Sequence, residues 1–152
     1  MLSMPACSLL QFAAPPPTPA PPPTQPPPLF APLSVSPPPP GEAGAEIVRW
    51  FSAAGYRDFQ VQALVQHARA ESGFRPCARG PGGYNYTFQW SGTRLRQLHE
   101  FAQTSGCPRL DTQLAFADRE LRDDPKYACF WDATTEPAAY AALRRGFGRG
   151  SC

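Results

Sequence analysis

The first 41 residues carry no Asp, Glu, Lys or Arg, and no apolar pattern of helical or strand period. A stretch with nothing to bury and no charge to present is excluded as a packed element. No run in the chain as written reaches the length of about 18 apolar residues that a membrane-spanning helix needs. Cys-x-x-Cys spacing is absent and only His67 and His99 are available to assist, which argues against a zinc site. The net charge of +2 is too weak to argue for a nucleic-acid partner, although a slightly basic domain can approach an anionic polymer.

Proline fills most of the space these absences leave. Pro15 to Pro40 is mostly proline, so residues 8–41 are expected to be a disordered, polyproline II-like linker. At about 3.1 Å per residue it would span on the order of 100 Å when extended. Ahead of it, residues 1–7 end in Met4-Pro5-Ala6-Cys7, which resembles the close of a lipoprotein signal in which the Cys becomes acylated. The written start is then expected to lie inside a longer signal peptide. All 14 basic and 12 acidic side chains follow Gly41. Residues 42–152 therefore form the globular part, about 110 residues, enough for one modest core.

Within it, apolar spacing predicts a first helix over Glu42 to Ala54, with Ile47, Val48, Phe51 and Ala54 on one stripe. A second helix runs from Asp58, its N-cap, to Ser72, with Val61, Leu64, Val65 and Ala68 on one face. His67 reads as a surface or boundary residue. Gly80 to Gly83 punctuate a loop, and the alternation of Tyr84, Tyr86 and Phe88, then Trp90, reads as a short strand with an aromatic face. Ser91 caps a third helix carrying Leu95, Leu98, Phe101 and Ala102 inward. Asp111 caps a fourth carrying Leu114, Ala117 and Leu121. Tyr127 to Trp131 is an aromatic packing cluster, and Glu136-Pro137 opens a fifth helix in which Tyr140 and Leu143 pack. The expected class is mainly α, a bundle of about five helices with a small β flap.

Cys77, Cys107, Cys129 and Cys152 lie in the domain. Two disulfides in an exported protein fit this count, and three pairings are possible. If the third and fourth helices are antiparallel neighbours, Cys129 comes near Cys77 and Cys107 is left for Cys152.

Glu71 is the acidic residue that points to chemistry. It sits in the last turn of the second helix, on or beside the apolar face, just before Gly73, a natural C′ residue. The negative end of the helix dipole and partial desolvation both disfavour its charged form. A proton donor working near neutral pH needs that shift. The plainer reading is a helix-end Glu whose side chain reaches water.

Glu71-Ser72-Gly73-Phe74, followed by Phe88-Gln89-Trp90 and then Ser91-Gly92-Thr93-Arg94, resembles the lysozyme-like superfamily, in particular its phage-tail-lysozyme branch. There, a helix ends in the catalytic Glu of a Glu-Ser-Gly-Phe type motif. A β-like loop with a Gly-x-x-Gln-Trp type motif then lines the glycan groove, and a helix with a Gly-x-Arg start follows. Gln113-Leu114 and Glu120-Leu121 also resemble the family pattern and read as structural. The resemblance spans Glu46 to Phe147. It departs at Tyr86, where the family has Gly.

The resemblance implies a lysozyme-like domain that cleaves the β-1,4 bond between N-acetylmuramic acid and N-acetylglucosamine in peptidoglycan, by hydrolysis or lytic transglycosylation. Glu71 would be the general acid and base. Ser72, Asn85, Tyr86, Gln89 and Trp90 would meet the glycan strand, with no cofactor and no metal. The expected protein is an exported monomer, periplasmic or held at the membrane through acylated Cys7. No second carboxylate has motif support, Asp58, Asp111 and Asp118 included, so a catalytically silent peptidoglycan-binding lipoprotein is the alternative. A cytosolic or phage-derived structural domain with a Pro-rich docking tail is a third.

Overall fold

The computed structural model describes residues 40–147. The expected signal remnant, Cys7, the bulk of the linker and Cys152 lie outside the described residues. The described part is mainly helical. Its α-helices are α1 (Pro40–Ala53), α2 (Asp58–Ser72), α3 (Gly92–Ala102), α4 (Leu110–Asp123), α5 (Ala128–Asp132) and α6 (Glu136–Phe147). Short 3₁₀ turns at Pro81–Gly83 and Pro125–Tyr127 complete the order. The aromatic cluster that the sequence offered as packing is the short α5, and it packs as expected: Phe130 is fully buried.

Helix α2 is the central element, packed between α1 and α6. Its buried face is Val61, Ala63, Leu64 and Ala68, with Gln60 and His67 buried among them. Ile47 and Phe51 cover it from α1, and Ala139, Ala142 and Leu143 from α6. Gln60 is satisfied there: its amide donates to the Phe130 carbonyl, and its Oε1 accepts from the Arg57 N–H at the start of α2. The helix therefore begins one residue after a cap at Arg57, with Asp58 in the first turn, where its charge complements the dipole. Likewise α4 is preceded by Arg109, and Asp111 lies inside its first turn. Two expected core positions, Val48 and Phe101, face solvent at 36% and 39% exposure. Between α6 and Tyr127, only Gly146 fits: a Cβ there would collide with the buried Tyr127 ring.

The expected β flap is not a strand. Residues 84–90 form a tight loop held by isolated bridges, Arg79 to Asn85 and Asn85 to Trp90. Tyr86 and Gln89 adopt positive φ, 72° and 53°, which breaks the two-residue alternation. Tyr86, Thr87, Phe88 and Trp90 are all buried, and Tyr84 alone among the loop's aromatic residues is exposed.

The disulfide pairing is also corrected. Cys77 is bonded to Cys107, with Cα atoms 5.6 Å apart, so neither is available to Cys129 or Cys152. Cys129 is disulfide-bonded as well. The start of α4, not its end, meets the loop after α2. Buried Gln113 shows this, donating to the carbonyls of Pro76 and Pro108, the neighbours of the two cysteines. Its Oε1 accepts from the Thr87 N–H and hydroxyl. One amide thus ties both ends of the bridge to the aromatic loop. Closing a separation of 30 residues stabilises the fold by about 3–4 kcal/mol on the chain-entropy account.

Candidate functional site

Helix α2 ends as its sequence dictates. Gly73 takes the left-handed conformation (φ 58°), and its N–H bonds the Arg69 carbonyl at 3.0 Å. Glu71 is thereby fixed in the final turn with its side chain 39% exposed. Burial pushes its carboxyl above the usual range, and the Arg144 guanidinium of α6 pulls in the opposite direction. No hydrogen-bond donor among the described residues holds the carboxyl.

One turn earlier on the same helix lies His67, and here the sequence reading is overturned. His67 is buried, with 1% exposure, not a surface residue. Phe88 stacks on it at 5.9 Å and 14°, Phe147 lies at 4.8 Å, and Tyr140 presents an edge at 6.3 Å. Both ring nitrogens are buried without a hydrogen-bond partner. Burial, then the charges of Arg94 and Arg144, lower its pKa to about 4, so the ring is neutral near pH 7. Nδ1 stands 3.9 Å from Glu71 Oε1, just beyond hydrogen-bonding range. The face of α2 carried the missed signal: His67 falls three residues after Leu64 and next to Ala68, inside the apolar stripe.

Helix α2 meets the second motif through His67, which lies one turn before Glu71 and stacks on Phe88. Other expected contacts are directed elsewhere. Ser72 is buried and its hydroxyl donates to the Ala68 carbonyl at 2.9 Å. Trp90 is fully buried and its indole N–H donates to Glu120 Oε2 at 2.8 Å. Arg94 grips the same carboxylate with two bonds of 2.6 and 2.7 Å and lies over the Phe147 ring. Glu120 is thus paired, in keeping with a structural role. Tyr86 is buried, its hydroxyl donating to the Gly106 carbonyl at 3.0 Å with His99 Nε2 at the same distance. Ser72, Tyr86 and Trp90 are therefore packing residues and offer no face to a ligand. Tyr86 occupies a left-handed position, which glycine adopts more readily than a residue with a side chain.

Asn85 and Gln89 remain half-exposed, each donating to the loop's own backbone, at Gly83 and Tyr86. Tyr84, 43% exposed, is the one residue of the expected aromatic face that stays at the surface. Asp118 bonds Tyr56 and Arg122, Asp111 pairs with Arg109, and Asp58 lies at the far end of α2. No second carboxylate is among the groups that perturb Glu71. Among the described residues no group of three or more His, Cys, Asp or Glu side chains is placed to hold a metal ion. No helix among them is long and apolar enough to cross a membrane. A shallow depression of about 320 Å³, lined by Arg94, Arg119, Glu120 and Lys126 among others, does not include Glu71.

No family model matches the chain, no curated protein matches it, and no solved structure matches it.

Proposed function

We propose that the domain is a peptidoglycan glycosidase of lysozyme-like type, acting on the β-1,4 bond between N-acetylmuramic acid and N-acetylglucosamine. The observation that carries this reading is Glu71, a half-exposed carboxyl at the end of a buried helix, with its acid form favoured by desolvation. Protonated Glu71 gives its proton to the glycosidic oxygen as the bond to the sugar C1 breaks. General-acid help of this kind contributes about 10²- to 10⁴-fold. No second carboxylate is among the described groups that perturb it, and the reaction that one Glu completes alone is lytic transglycosylation. The Glu71 carboxylate takes the proton of the muramic 6-hydroxyl as that oxygen closes on C1, which restores the acid. Tyr84, Asn85 and Gln89 are the exposed groups of the loop that meet the glycan. The Cys77–Cys107 bridge supports an oxidising, extracytoplasmic site of action, with Cys7 as the lipid anchor.

Product analysis tests this. The full chain and Glu71→Gln, disulfides intact, are incubated with purified peptidoglycan and the soluble fragments weighed by mass spectrometry. Release of 1,6-anhydro-muramic fragments by the unsubstituted chain alone is the expected result. Reducing-end fragments would instead mean hydrolysis. Silence from both proteins with retained sacculus binding would favour the second reading, a catalytically silent glycan-binding module, which the lack of a second carboxylate among the described groups that perturb Glu71 supports.

A further inference from the structure

We propose that His67 is a positioning residue for Glu71: its neutral imidazole donates Nδ1–H to Glu71 Oε1 and leaves Oε2 to carry the acidic proton outward. Its use in bond cleavage rests on the glycosidase reading; the pairing does not.

His67 is costly to bury. A ring packed among Phe88, Phe147 and Tyr140 with neither nitrogen bonded is worse served than a phenyl ring in the same space. A buried polar group left without a partner calls for an explanation beyond packing. Its Nδ1 faces the one acid that the sequence motif marks, four residues on and on the same side of α2. The gap of 3.9 Å is closed by a change in the Glu71 side chain alone, since no other donor holds it.

Burial and the two arginines nearby keep the ring neutral. Arg94 from α3 and Arg144 from α6 both oppose a proton on it, and Tyr140 from α6 meets it edge-on; Glu71 is the acid facing it from its own helix. A neutral imidazole has one N–H to give. Given to Oε1, it fixes the carboxyl in one orientation in both protonation states. In the acid form, the oxygen that accepts is the carbonyl oxygen, so the proton resides on Oε2.

The test uses the full chain without glycan, with ¹⁵N-labelled histidine and ¹³C-labelled glutamate carboxyls. Long-range ¹H–¹⁵N spectra are expected to show His67 as the Nδ1–H tautomer near pH 7. Because the donated bond is stronger to the carboxylate than to the acid, Glu71 should titrate at higher pH in His67→Phe than in the unsubstituted chain. His67→Asn, which keeps an N–H near the Nδ1 position, should bring it back down. An Nε2–H tautomer, or a Glu71 titration indifferent to His67→Phe, overturns the proposal. If His67→Phe fails to fold, the tautomer decides. The two readings fail separately: coupling without glycan products removes the glycosidase, and glycan products without coupling remove the pair.

Discussion

Two polar clusters flank Phe147, and they are built on opposite terms. On one side, Glu120 accepts from Nε and Nη2 of Arg94 and from the Trp90 indole, so its main contacts are bonded and charge-compensated. On the other, His67 is buried with both nitrogens unbonded beside a half-exposed, desolvated Glu71. The first arrangement holds three elements together: the aromatic loop, α3 and α4. The second contributes no bond to the fold. A bonded cluster is explained by the architecture it secures, whereas a buried ring left unbonded is a cost the fold carries for another reason.

The sharpest way to break the bonded side is Glu120→Ala. It strands the Arg94 charge and the Trp90 N–H together, and urea denaturation should show a loss of about 3–5 kcal/mol. Next comes the bridge. Replacing Cys77 and Cys107 with Ala should lower stability by about 3–4 kcal/mol, read the same way, since the unfolded chain regains the freedom that the loop denied it.

The unbonded side predicts a pH effect. His67 has its folded-state pKa lowered to about 4 from an ordinary 6.5. Its neutral form is the one that folds. As pH falls from about 6.5 toward 4, the unfolded chain takes up a proton the folded chain refuses, and stability is lost across that window, by up to about 3 kcal/mol. Glu71 runs the other way. Its folded-state pKa is raised, so its contribution is present at low pH and lost as pH rises past its unfolded value. His67→Phe removes the histidine component and raises the Glu71 titration, and both changes should flatten the profile between pH 4 and 6.5. The smallest effect belongs to Tyr86→Phe. It removes the hydroxyl between Gly106 and His99 and should cost about 1 kcal/mol in a denaturation midpoint comparison.

Much of the helical frame was legible because apolar period and caps are local signals. Val61, Leu64 and Ala68 mark the inner face of α2, and Gly73 its end, without reference to the rest of the chain. What escaped was set by tertiary structure. Tyr84, Tyr86 and Phe88 alternate like a strand, yet nothing local announces that Tyr86 and Gln89 take left-handed conformations that side chains rarely adopt. The bridge depends on which end of α4 meets the loop after α2, a fact written in the Gln113 contacts and not in cysteine spacing. His67 was misread for a chemical reason: its position on the apolar face pointed inward, and its polarity pointed out. Motif and helix-end logic single out Glu71 as a candidate acid, but not its neighbours His67 and Arg144.

The Cys77–Cys107 bridge also makes the segment between its ends a covalent ring. That ring contains the Pro81–Gly83 turn, where all three residues are exposed. A protease that cuts there opens one peptide bond without dividing the molecule. The nicked chain would gain one water in mass, keep both halves on one particle, and part into two pieces only when a reductant is added.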